Sequence, residues 1–147
     1  MDEIMQAVAK LQNGDRDEAR NDLDRLWKQL GPSGAPLQRC TIAHFLADTE
    51  ADLSRELEWD LLALEAATGS SEAQDRNAID ASVASFLPSL HLNVGDAYRR
   101  LGESRLALQH AILGLANLGA LREDNYAAMV RSGLARLQAR LSAGDGS

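Results

Sequence analysis

The residue types that could do chemistry are few, and His44 and Asp48 come first. They stand four apart in sequence that reads as helix, so their side chains share a face. A histidine and a carboxylate so spaced could hold a metal ion, but a tetrahedral site needs its third and fourth ligands from elsewhere. His91 and His110 sit in no HxxxH or HExxH context. Cys40 is the only cysteine, with no second thiol and no histidine partner beside it to make it a nucleophile. No glycine-rich phosphate loop follows a strand, because no segment reads as a strand. We therefore expect no metal, no cofactor and no catalytic activity, with Cys40 as a buried or half-buried thiol and the histidines lining helix surfaces.

Arg99 and Arg100 form an adjacent basic pair, three and four residues after Asp96. They can engage a partner's carboxylate, or they can pair at home with Asp96, Glu103 or the last helix. Trp27 and Trp59 fall on the second helices of two helical hairpins, where an indole fills the space between them. Which of these residues meet depends on the elements that carry them.

A chain of 147 residues is one domain on the usual size prior, long enough to bury a core. Hydrophobic residues make up 45% and aromatics only 4%; Ala, Leu, Glu, Arg and Gln dominate, all strong helix formers. That leaves little β-branched or aromatic material for a sheet, so the expected class is all-α. Net charge is −7, which speaks against a nucleic-acid footprint and against docking on anionic lipid. A single cysteine suits a reducing compartment. The acidic start lacks the basic and apolar regions of a secretory signal, and no apolar run reaches membrane-spanning length, so a cytoplasmic location is expected.

Breakers divide the chain into helices expected near 2–13, 15–30, 36–48, 52–67, 78–101, 103–118 and 123–142. Apolar residues recur between them at three and four residues, as a buried helix face requires. Ala19, Leu23, Leu26 and Leu30 form one stripe, and Leu57, Leu61 and Leu64 another. Tyr126, Met129, Val130, Leu134, Leu137 and Leu141 form a third. Asp15, Thr49, Asn77 and Asp124 are the expected caps, and Pro36 and Pro88 suit first-turn positions. Helical sequence runs straight into Pro88, which reads as one long helix kinked there. Residues 143–147 have nothing to bury and are expected to be disordered. Short breaks between successive helices call for antiparallel hairpins.

The hairpins repeat. Gly95, Tyr98, Gly102 and Ala107 are followed by Ala111 and Gly114, with Asn93 and Ala97 also at characteristic places. Over residues 88–121 this resembles the tetratricopeptide repeat, a helix–turn–helix unit of about 34 residues. In such a unit a small residue lets the two helices pack closely, an aromatic follows, glycine closes the turn and a small residue opens the second helix. Residues 1–34 look like a weaker copy, with Ala7, Lys10, Gly14 and Ala19 at the same intervals and Lys10 in place of the aromatic. Residues 36–69 look like a degenerate copy with a longer turn and no turn glycine.

The resemblance implies a right-handed α-solenoid: hairpins near 1–34, 36–69 and 78–121, with 123–142 as the capping helix of a single domain spanning 1–142. It implies a concave wall of first helices, to which the middle copy contributes Cys40, His44 and Asp48 and the best copy Leu92, Asp96, Arg99 and Arg100. It further implies a non-catalytic module that binds a protein or peptide in that groove. Asp96 stands where a clamp for a chain-terminal carboxylate would want asparagine, which speaks against such a clamp. Two other classes remain open: self-association into a homodimer, and a small-ligand sensor or enzyme using His44, Asp48 and Cys40.

Overall fold

A computed structural model describes residues 1–68, 81–120 and 124–144, and every regular element among them is helical. In chain order these are α1 (Asp2–Gln12), α2 (Arg16–Leu30), α3 (Pro36–Thr49), α4 (Leu53–Thr68), α5 (Ala81–Ala84), α6 (Leu87–Arg100), α7 (Ser104–Ala116), a 3₁₀ turn (Leu118–Ala120) and α8 (Asn125–Ser142). The chain divides into two compact units, Met1–Gln74 and Asp75–Ser147. The loop from residue 69, the expected cap Asn77, the start of the expected helix at 78–80, residues 121–123 and the tail from 145 lie outside the described residues.

In the first unit α1 packs on α2, α2 on α3 and α3 on α4. Ile4, Ala7, Val8, Leu23, Leu26, Ile42 and Leu46 form its core, with Trp27, Leu30, Phe45 and Trp59 packed around them. The indoles of Trp27 and Trp59 meet edge to face, ring centres 5.3 Å apart, which joins α2 to α4 as expected. The Arg39 guanidinium lies 4.2 Å from the Trp27 ring centre. At the α3–α4 turn, Arg16 donates from Nε and Nη2 to the Thr49 carbonyl, at 3.0 and 2.7 Å. A cation there satisfies a carbonyl that the helix end leaves unpaired. Glu50 accepts from Arg20 at 3.1 Å and from Trp59 Nε1 at 3.2 Å.

In the second unit α6 packs on α7, and α8 packs on both. The turns α1–α2 and α6–α7 are built alike. Gly14 (φ 93°) donates to Leu11 O at 3.1 Å, and Asp15 to Lys10 O at 2.9 Å. Gly102 (φ 83°) donates to Arg99 O at 3.0 Å, and Glu103 to Tyr98 O at 2.8 Å. The paired bonds from the glycine and the residue after it form a helix-ending motif whose left-handed residue is best supplied by glycine. At Gly95, an added Cβ would stand 2.9 Å from Leu137 Cδ2 and 3.3 Å from the Ala107 carbonyl oxygen. Glycine there permits the close approach of α6 to α7 and α8.

Four expectations need correction. Within the helix expected at 78–101, the described residues do not form one kinked helix: α5 ends at Ala84 and α6 begins at Leu87, with Pro88 in its first turn. Pro88 has no N–H to bond the Ala84 carbonyl, and its ring would crowd that oxygen, so the helix stops instead of bending. Thr49 does not cap α4; it ends α3, and its hydroxyl donates to Leu46 O at 2.7 Å. Asp52 takes the capping place, its Oδ1 accepting from Ser54 N–H at 3.0 Å. On α4 the buried residues are Asp60, Ala63 and Ala67, while Leu57, Leu61 and Leu64 are half-buried beside them. On α8 the buried stripe is Ala127, Val130, Leu134 and Leu137, so Tyr126 and Met129 fall on the exposed side. Of the other caps, Asp124 accepts from Ala127 N–H at 2.9 Å, and Asp15 stands at the N-cap without a side-chain bond.

Candidate functional site

Helix α6 has two working faces. Leu90, His91, Val94, Gly95 and Ala97 are buried, while Leu92, Asn93, Asp96 and Arg99 are half-buried. Across from Leu92 runs α8, where an added Cβ at Gly133 would come within 2.7 Å of Leu92 Cδ2. A cleft of about 290 Å³ lies between the two helices, with Leu92, Asn93 and Asp96 on one side and Gly133, Arg136, Leu137 and Arg140 on the other. Leu92, Gly133 and Leu137 give it an apolar component, and the ionic groups supply the rest.

Those ionic groups are unequally engaged. Asp96 Oδ1 accepts from Arg99 Nε at 3.1 Å and from Arg99 Nη2 at 3.0 Å. Asp96 Oδ2 lies 3.1 Å from Arg100 Nε. The basic pair of α6 thus has its counter-ion on its own helix. Arg136 and Arg140, one turn apart on α8, make no ion pair among the described residues, and both are exposed. Of the expected groove residues, Leu92 and Asp96 line the cleft, and Arg99 and Arg100 are tethered to Asp96 beside it.

The residues of the first unit behave differently. Cys40 is 1% exposed, so it belongs to the interior and lines no open surface. Burial pushes its thiol up to about 11, which leaves it protonated and unreactive at neutral pH. His44 is half-buried, 4.9 Å from the Phe45 ring in an edge-to-face contact. Desolvation lowers its pKa against the pull of Asp48, while the Asp48 carboxyl is raised by desolvation and lowered in turn by His44. Asp48 itself is exposed, so water screens its charge from His44. The pair shares a face as expected, but among the described residues no three His, Cys, Asp or Glu side chains converge as a metal-binding group.

Sequence reasoning missed two features. Arg136 and Arg140 had a signal, their i, i+4 spacing three residues beyond a helical glycine. The second feature is a pair of rings: His91 Nδ1 of α6 lies 3.0 Å from His110 Nδ1 of α7. Tyr98 stacks on His110, ring centres 5.6 Å apart and planes 25° from parallel. Burial, then the charge of His110, lowers His91 to about 4; burial also lowers His110. Hairpin register was the signal here, since it sets α6 and α7 residues face to face.

No helix among the described residues is long and apolar enough to cross a membrane. In comparisons with known proteins, no family model, curated protein or solved structure matches the chain.

Proposed function

We propose that the chain is a non-catalytic protein- or peptide-binding module of the tetratricopeptide kind, its hairpins stacked as a right-handed solenoid with first helices lining the concave side. The observation that carries this reading is the cleft between α6 and α8. It has an apolar component at Leu92, Gly133 and Leu137, and two arginines whose charges no carboxylate among the described residues neutralises. Such a cleft suits an extended or helical segment that buries an apolar side chain and presents carboxylates to Arg136 and Arg140. The chain's acidic balance makes the local basic character selective against nucleic acid and anionic lipid partners. The buried, protonated Cys40 counts against a catalytic role for the α3 residues. A reducing, cytoplasmic setting fits the lone thiol.

Capture of partners from lysate by the full chain, compared with Arg136→Glu/Arg140→Glu, tests this. The reading expects specific partners to be lost on charge reversal; an unchanged set of captured proteins overturns it.

A second reading, self-association, is favoured by Leu108, Ile112 and Leu113 on α7, which are 39%, 52% and 45% exposed. It expects a dimer mass at micromolar concentration, and a monomer mass refutes it.

A further inference from the structure

We propose that His91 and His110 form an acid-sensitive latch between α6 and α7, closed when the pair carries at most one added proton and forced open when both rings are charged. The geometry sets this rule. With Nδ1 facing Nδ1 at 3.0 Å, one ring must donate and the other accept. In the neutral pair one Nδ1–H points at the bare Nδ1 of the other ring. A first proton can enter at Nε2 of the donating ring and leave that bond intact. A second must enter at the accepting Nδ1, which sets two N–H groups and two positive charges head to head.

Among the described residues no carboxylate is placed against either ring to compensate that charge. From α6, Tyr98 stacks on His110, and Asp96 pairs with Arg99 and with Arg100. From α8, Leu134 and Leu137 border His91 and His110 across Gly114 and Gly95, and Arg131, Arg136 and Arg140 are exposed. From α7 and its turn, Glu103 and Arg105 are exposed. Among the described residues, burial lowers both rings and the other imidazole lowers His91 further.

The sign follows. In the unfolded chain both rings take up protons near pH 6.5, whereas His91 in the fold does so near 4. The folded hairpin therefore binds fewer protons between those values, and its stability falls as pH falls through that window. The consequence reaches the cleft, because α6 carries Leu92 and Asp96 on one side and His91 on the other.

The test uses the full chain. Ring ¹⁵N shifts of His91 and His110 are followed from pH 8 to 4, and amide exchange of α6 and α7 is compared at pH 7.5 and 5.0 after correction for intrinsic rates. The proposal expects both rings to titrate below 6.5, with His91 the lower. It expects α6–α7 protection to drop by roughly tenfold or more in the wild type. His91→Gln/His110→Gln, which keeps one hydrogen bond and cannot titrate in this range, should retain its protection at pH 5.0. Titration of His91 at or above 6.5, or the same loss of protection in the glutamine variant, overturns it. Should that variant not fold, the wild-type ring titrations alone decide.

Discussion

Lys10 Nζ lies 2.6 Å from Asp22 Oδ2, twelve residues on, and Tyr98 stacks on His110 at the same interval. One position across two hairpins is therefore filled by an ion pair in the first and by aromatic stacking in the third. Lys10 also reaches Glu18 Oε1 at 3.0 Å, and these bonds raise its pKa while lowering that of Asp22. Both carboxylates come from α2, so the ammonium ties α1 to α2 as the Tyr98–His110 stack ties α6 to α7. Charge holds what apolar area holds elsewhere, and salt distinguishes them. Lys10→Met should loosen α1–α2 at low ionic strength, an effect that fades towards 1 M NaCl. Amide exchange of α1 at both salt concentrations measures it.

Gly95 is set by a backbone neighbour and Gly133 by a side chain. A methyl at 95 meets the Ala107 carbonyl oxygen at 3.3 Å as well as Leu137, whereas at 133 it meets Leu92 alone, which can rotate away. Gly95→Ala should destabilise the second unit by about 1–3 kcal/mol, less a gain of up to about 1 from helix propensity. Gly133→Ala should be neutral or stabilising. Urea denaturation of the two variants gives the order directly.

Glu50 has a side chain only 6% exposed, and it serves both Arg20 and Trp59. Glu50→Ala strands the Trp59 indole N–H, at a cost of about 1–3 kcal/mol. A shift in tryptophan emission should accompany the loss, and Glu50→Gln, which can still accept from the indole, should recover part of it.

Cys40 should be inert to a thiol reagent at pH 8 in the native chain and react fully in denaturant, since it is buried and protonated. Fast native labelling would mean that α3 opens readily to solvent.

The elements most legible in the sequence were those fixed by local chemistry. Gly14 and Gly102 mark turns because a left-handed residue must end each helix, and the Asp124 side chain marks its N-cap. Pro88 was legible as a first-turn residue, but what precedes it was not, because "AIDASVASF" has helical composition throughout and only the missing hydrogen bond to Ala84 ends α5. On α4 the leucine spacing does not mark the buried face. Close helix packing instead selected Ala63 and Ala67, with the leucines filling the flanks. The repeat resemblance assigns Leu92 and Asp96 to a groove wall, and in the fold both border the cleft between α6 and α8. Arg136 and Arg140 carry no such mark, because the resemblance assigns the last helix to capping alone. The His91–His110 contact joins residues nineteen apart, so the register of the α6–α7 hairpin, not local spacing, is its mark in the sequence.

The α6–α8 cleft as a partner-binding surface is tested most directly by a photo-crosslinking amino acid placed at position 140 in the cleft and, separately, at position 105 on the exposed side of α7. The account predicts protein adducts from position 140, with Arg136 still in place, and none of the same adducts from position 105. Adducts from position 105 alone would contradict it.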